Sequence, residues 1–189
     1  MLNIALFGPP GSGKGTQSKK LIEKYKLTYI STGDMLRAEI AEGSELGTTA
    51  TSIMDAGNLV PDELIVQILE KRIKNLGDAK GILFDGFPRN LVQAYILTGL
   101  LAKLNTELTG MINLEVAEEE LMDRMLKRAA IEGRSDDNPE TIKNRFKQYE
   151  AKTKPVADFY GEMDRCYPVN GLGSIDDIFD RISNVIDKF

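Results

Sequence analysis

The stretch Gly8-Pro9-Pro10-Gly11-Ser12-Gly13-Lys14-Gly15-Thr16 decides the fold. It follows the apolar run Leu2-Asn3-Ile4-Ala5-Leu6-Phe7 and precedes a lysine-rich segment of helical spacing, so a buried strand passes through a glycine-rich turn into a helix. Glycines let the backbone bend tightly and aim several N–H groups at one anion, and the following helix adds the positive end of its dipole. Lys14 supplies a point charge for terminal phosphates. These are the properties of a phosphate-binding loop (P-loop). The pattern G-x-x-x-x-G-K-[ST] is met except in its last place, where Gly15 stands and the hydroxyl comes one residue later, on Thr16. The hydroxyl directly after the lysine is the one that ligates magnesium in such loops. Magnesium is therefore expected mainly on phosphates and waters, without a direct protein ligand.

The 189 residues fit one domain, large enough to bury a core without disulfide or metal staples. With 42% apolar and 28% charged residues, no run approaching a membrane span and no basic n-region before Leu2, a soluble cytoplasmic protein is expected. Cys166 is the only cysteine, so core packing is its expected role. There is no histidine, which removes the commonest general base and metal ligand. A net charge of −5 gives no reason to expect nucleic acid or an anionic membrane as partner. Of nine arginines, six stand in or beside motif-like stretches: Arg37, Arg89, Arg124, Arg128, Arg134 and Arg145. Planar bidentate donors are what phosphate recognition uses.

Beyond the loop, a helix runs to Tyr25 and a short strand covers Thr28 to Ile30. Ser31-Thr32-Gly33-Asp34 reads as a helix start, with Arg37 one turn in, and short helices broken by Gly43 and Gly47 lead to Gly57-Asn58-Leu59-Val60-Pro61. Another helix buries Leu64, Ile65, Ile68, Leu69 and Ile73. Gly81 to Phe84 is a strand that ends in Asp85-Gly86-Phe87-Pro88-Arg89; Asp85 stands where an ion-positioning carboxylate belongs, and a cis Phe87-Pro88 bond would aim Arg89 into the cleft. Helix Leu91 to Leu104, strand Leu108 to Val116 and helix Glu118 to Arg128 follow, the last with Arg124 and Arg128 on one face. After Gly133 to Pro139, a helix capped by Asn138 is expected to bend near Pro155. A fifth strand, Cys166 to Val169, precedes a final helix with Ser174 and Asp177 near a capping-box arrangement and Ile175, Ile178, Phe179, Ile182 and Ile186 buried. Five strands alternating with helices imply an α/β fold, a five-stranded parallel sheet with helices on both faces, and ligands beyond the strands' C-terminal ends.

Taken in order, G-P-P-G-S-G-K-G-T, S-T-G-D-M-L-R, G-N-L-V-P, D-G-F-P-R-N and G-R-S-D-D-N resemble the adenylate kinases, over nearly the whole chain. That resemblance implies reversible phosphoryl transfer from Mg-ATP to AMP, giving two ADP, by a monomer. It implies a single P-loop kinase domain over 1–189, with an AMP-binding lobe inserted at about 31–60 and a short lid at about 128–137. By the same resemblance Gly11, Ser12, Gly13, Lys14, Gly15 and Thr16 hold the ATP phosphates, Arg124 and Arg128 come from the lid side, and Gly173 meets the adenine through its backbone. AMP falls to Thr32, Arg37, Asn58, Leu59, Val60, Gly86, Phe87, Pro88, Arg89 and Gln93, with Arg134 and Arg145 where the two phosphate chains meet. Lys14, Asp85, Arg89, Arg128, Arg134 and Arg145 form the implied catalytic set. With only five residues between Arg128 and Arg134, the short-lid form is implied, without structural zinc.

The chemistry suits this reading without a histidine, because an AMP phosphate with a second pKa of about 6 is mostly dianionic at neutral pH and needs no proton removed. Bringing two polyanions together in line calls for positioning and arrayed cations. The UMP/CMP kinases share the loop and D-G-F-P-R; Thr32 and Gln93, where that family has alanine and asparagine, favour AMP. A nucleotide-dependent switch would leave Arg89, Arg134 and Arg145 unexplained, and no N-K-x-D string is present.

Overall fold

The computed structural model describes every residue except Asp78 and Ser135. Strand β1 (Leu2–Phe7) lies at the centre of a five-stranded sheet, between β3 (Gly81–Asp85) and β4 (Gly110–Glu115), with β2 (Thr28–Ser31) and β5 (Cys166–Asn170) at the edges. All pairings are parallel, in the order β2-β3-β1-β4-β5. Edge placement explains how β5 accommodates Pro168, whose nitrogen cannot join a ladder.

Successive side chains of a strand point to opposite faces, so β1 divides its apolar residues between two cores. Ala5 and Phe7 join Ile82 and Phe84 of β3 beneath α4 (Asp62–Lys74), α5 (Leu91–Lys103) and α8 (Pro155–Gly161). Ile4 and Leu6 join Leu83 and Ile112 beneath α1 (Lys14–Tyr25) and α9 (Ile175–Ile186). Each fully buried Leu or Ile there contributes about 1.5–3 kcal/mol. Near-continuous apolar strands are what a sheet covered on both faces requires.

Helices α2 (Thr32–Glu42) and α3 (Glu45–Asp55) stand together between β2 and α4. Gly47 does not break α3: a Cβ there would lie 2.1 Å from the Glu39 carbonyl oxygen, so the residue lets the two helices touch backbone to backbone. Helix α6 (Glu118–Glu132) runs one turn past Arg128, because Ala129 and Ala130 favour helix and the chain turns only at Gly133, with φ of 64°. Helix α7 (Pro139–Gln148) is capped by Asn138, whose Oδ1 accepts from Thr141 N at 3.0 Å. Before Pro155 the chain passes from α7 through a π-helical turn, Tyr149–Thr153, where Lys154 N donates to Tyr149 O at 2.8 Å. Pro155 opens α8, a position that needs no N–H.

The capping box at α9 is formed by Ser174 and Asp177. Ile175, expected in the core, is 54% exposed, since the first residue of the helix overhangs the cleft instead of facing the sheet. Cys166 is half-buried against the core. Among the described residues no helix is long and apolar enough to cross a membrane.

Candidate active site

Two neighbouring strands carry the site. Leu6 of β1 lies in register with Asp85 of β3, so the loop after β1 and the turn after β3 open side by side at the C-terminal edge of the sheet. A cavity of about 980 Å³ begins there and reaches α2, the turn before α4, α6, α7 and the segment before α9.

The loop is shaped by close packing. A Cβ on Gly8 would come within 2.6 Å of the Leu114 carbonyl oxygen, and one on Gly11 within 2.8 Å of Met125 Cγ, with both residues at positive φ. Gly13, at φ 94°, is the N-cap of α1; it offers no side-chain acceptor, and no acidic residue stands in the first turn. The positive end of this helix is thus left to whatever anion occupies the loop. Ser12 is buried behind the loop, whereas Gly11, Gly13, Lys14, Gly15 and Thr16 line the cavity.

Lys14 Nζ donates to the carbonyls of Gly8 and Pro9, both at 2.9 Å, and to Ser12 Oγ at 3.3 Å. Some of its surface remains accessible, yet protein surrounds it at the base of the cleft. That burial lowers its pKa to about 8; Asp85 opposes the shift, and Arg89, Arg145 and Arg128 reinforce it.

In the turn after β3, the peptide bond between Phe87 and Pro88 is cis. Thr32 Oγ1 and Arg89 Nε both donate to Gly86 O at 2.7 Å. Gly86 has φ of 73°, and a Cβ there would meet Arg89 Nη2 at 2.7 Å. The Arg89 backbone is gripped at both ends, its N–H by Gln93 Oε1 at 2.7 Å and its carbonyl by Thr153 Oγ1 at 2.8 Å. Burial lowers the pKa of its guanidinium, with Arg37 adding to the effect and Asp85 and Asp136 opposing it.

The remaining cations come from elsewhere in the chain. Arg124 binds Glu120 Oε1 at 2.9 Å and the Gly171 carbonyl at 3.2 Å, tying α6 to the segment that carries Gly173. Arg128 forms a two-pronged pair with Asp137, at 2.6 and 2.7 Å. Arg145 reaches Asp136 Oδ2 at 2.7 Å and Asp137 Oδ1 at 2.8 Å; burial lowers its pKa to about 10 against the pull of both carboxylates. Arg134 pairs with Glu132 at 2.6 Å, and Arg37 with Asp34 at 2.6 Å. All six arginines and Lys14 line the one cavity, as do Thr32, Asn58, Leu59, Val60, Asp85, Gly86, Phe87, Pro88, Gln93 and Gly173.

Sequence reasoning missed the groups that hold these cations. Tyr29 donates to Asp85 Oδ2 at 2.9 Å and is itself made less acidic, chiefly by burial and then by Asp85. Asp136 and Asp137 sit in the quoted G-R-S-D-D-N string, where nothing local marks them as counterions of distant arginines. Asp62, in the first turn of α4, accepts from Gln93 Nε2 at 2.7 Å.

A parallel α/β sheet with a P-loop whose lysine shares one cavity with six arginines is the arrangement of a nucleoside monophosphate kinase, a nucleotide-binding phosphotransferase. The sequence model described as adenylate kinase matches residues 6–165. Proteins named adenylate kinase match along the full chain: one from Bacteroides thetaiotaomicron is 50% identical over 188 residues, covering 100% of both chains. Another, from Phocaeicola vulgatus, is 48% identical over 188 residues with the same coverage, and one from Stenotrophomonas maltophilia is 49% identical over 181 residues, 96% of this chain and 97% of that one. The chain belongs to the adenylate kinase family.

Proposed function

We propose that the protein transfers the terminal phosphoryl group of Mg-ATP to AMP, reversibly, giving two ADP. The observation that carries this reading is a single cavity lined by Lys14 and its loop, by Arg89 and by Arg128 and Arg145, with cations enough for two phosphate chains. In this reading a phosphate oxygen of AMP attacks the γ-phosphorus in line, the bond to the bridging oxygen of ADP breaks, and the cations neutralise the transferring oxygens. No proton leaves the dianionic nucleophile, so no general base is needed.

Gly11 to Thr16 hold the donor phosphates, Arg124 and Arg128 flank them, and Gly173 lies against the donor adenine. Thr32, Arg37, Asn58 to Val60, Gly86 to Arg89 and Gln93 form the acceptor pocket, with Arg134 and Arg145 between the two nucleotides. The α2–α3 insert, about 31–60, serves as the AMP-binding lobe and about 128–137 as the lid. Closure of both excludes water, which would otherwise hydrolyse ATP.

Magnesium fits this chain as an ion carried by the substrate. Among the described residues no group of three or more acidic, histidine or cysteine side chains stands ready to hold a metal. Asp85 is buried at the end of β3, and a Cβ on Gly15 would lie 4.0 Å from its Oδ2, so glycine there keeps the space between loop and carboxylate open. Mg²⁺ keeps several waters readily, and Asp85 would hold them while the phosphates bind the ion. When bound, it would supply neutralisation of the phosphate charge during transfer.

The test is diphosphate formation by purified protein from ATP with AMP, UMP, CMP or GMP, with and without EDTA. Rapid, EDTA-sensitive and AMP-selective formation of ADP is expected. Preferential use of UMP or CMP, or slow phosphate release without use of any acceptor, overturns the assignment.

A further inference from the structure

Gln93, in the first turn of α5, is 2% exposed and lines the cavity. Its two polar atoms are held by partners of opposite kind. Oε1 accepts from the Arg89 backbone N–H at 2.7 Å, and Nε2 donates to Asp62 Oδ1 at 2.7 Å. A carboxylate can only accept, and a backbone N–H can only donate, so both contacts demand the same orientation of the amide. Turning it over would set Oε1 against the carboxylate and the NH₂ group against an N–H, losing two hydrogen bonds and creating two repulsions.

Asp62 is equally constrained. Asn90 Nδ2 donates to its two oxygens at 3.0 and 3.3 Å, while Asn90 Oδ1 accepts from Gln93 N at 2.8 Å as the cap of α5. The first turn of α4, where Asp62 stands, and the first turn of α5 are thereby locked in a single hydrogen-bond polarity.

A primary amide has two N–H donors and two acceptor lone pairs. With one of each consumed, Gln93 retains one donor and one acceptor in fixed places. A 6-aminopurine presents an acceptor, N1, beside an amino donor; a 6-oxopurine presents an N1–H donor beside an oxygen acceptor. A glutamine free to turn over would serve both edges. We propose that Asp62 is a specificity-determining residue: by locking the Gln93 amide it admits 6-aminopurine nucleoside monophosphates and rejects 6-oxopurine ones. The proposal rests on the reading that Gln93 faces the acceptor base.

The test compares AMP with IMP, which differ only at position 6 and its adjacent N1 proton. The kcat/KM ratio for the two is measured in the parent, in Asp62→Asn and in Gln93→Leu, with the KM for Mg-ATP as control. An asparagine can face Gln93 with either its oxygen or its NH₂ group, so Asp62→Asn removes the half of the lock that Asp62 supplies and leaves only the Arg89 N–H to oppose a turn of the amide. The AMP:IMP ratio is expected to fall by about tenfold or more, the size of one exchanged hydrogen bond, through better use of IMP. The KM for Mg-ATP should stay within about twofold, since Asp62 stands outside the donor end. A purely structural role for Asp62 would weaken both acceptors together and leave the ratio unchanged. An unchanged ratio in Asp62→Asn beside a collapsed ratio in Gln93→Leu overturns the role of Asp62 alone. An unchanged ratio in Gln93→Leu overturns the reading of Gln93 itself, and with it this proposal. Should Asp62→Asn fail to fold, Asp62→Ser, whose hydroxyl both donates and accepts, gives the same comparison.

Discussion

Arg128 and Arg145, on different helices, close on the same oxygen: Asp137 Oδ1 accepts from Arg128 Nη2 at 2.7 Å and from Arg145 Nη1 at 2.8 Å. The Asp137 side chain is completely buried, so one carboxylate serves as counterion to two guanidinium groups in the cleft. Asp137→Ala would leave two partly buried cations short of charge compensation and should cost about 3 kcal/mol of stability. Bound phosphates would substitute for the lost carboxylate, so saturating ATP and AMP should raise the Tm of the variant more than that of the parent. Thermal denaturation with and without nucleotides measures both effects.

Lys14 shows the opposite balance. Its pKa is lowered to about 8, mainly by burial, so below that pH the folded protein bears the cost of a desolvated ammonium. The unfolded chain holds the proton up to a pKa near 10.4, binding more protons than the native state in between, and stability should therefore rise with pH from about 8 to 10.5. Lys14→Met removes the cost: the unliganded variant should gain about 1–2 kcal/mol at pH 7, a gain that fades over that same window, while turnover nearly vanishes. Urea midpoints at pH 7 and pH 10, set beside the kinetics, test this.

Arg89 owes its position to Gly86 of its own turn, to Gln93 of α5 and to Thr153 of the π-helical turn. Arg89→Ala should lower kcat/KM for AMP by about a thousandfold or more, and leave the KM for ATP within about threefold. Near-parental use of AMP would count against its place in the acceptor pocket.

Gly57 lets the turn between α3 and α4 rest on α7. It has φ of 73°, and a Cβ there would lie 2.9 Å from the Thr141 carbonyl oxygen and 3.0 Å from Arg145 Cγ. The docking is sealed by Thr141 Oγ1 donating to Asp55 O at 3.0 Å and Asn144 Nδ2 to Ala56 O at 2.7 Å. Gly57→Ala should cost about 1–3 kcal/mol and raise the KM for AMP by displacing Asn58 to Val60. Chemical denaturation and AMP titration provide the two readouts.

What could be read from the sequence was what local pattern encodes. Apolar runs bounded by glycine marked β1 and β3, and Ser31, Asn138 and Ser174 announced their helices because a capping side chain acts within three residues. Lys14, the six arginines and the loop stood in short strings whose chemistry is local. Counterions were not legible in the same way. Tyr29 meets Asp85 across two strands, and Asp62 meets Gln93 across two helices, pairings that only the folded sheet creates. Gly47 looked like a helix breaker because the sequence could not reveal that another backbone would press against it. The extra turn of α6 is not announced by the residues around Arg128, because the stop signal lies further on, at Gly133 in the left-handed conformation.

The π-helical turn between α7 and α8 acts as a phase shifter. One additional residue in a helical turn rotates everything after it by about 100°. Through that offset Arg145 can face the cleft while Val156 and Tyr160, on the continuing chain, face the core, and Thr153 within the turn reaches Arg89. A strictly α-helical path of the same length could not satisfy both faces. Deleting one residue between Tyr149 and Thr153 would let the segment close as regular α-helix with both faces kept, and what would be lost is the reach of Thr153 to Arg89. Length and turn type are tied together here: a chain grafted at this junction keeps both faces either with the additional residue in a π turn or without it in an α turn.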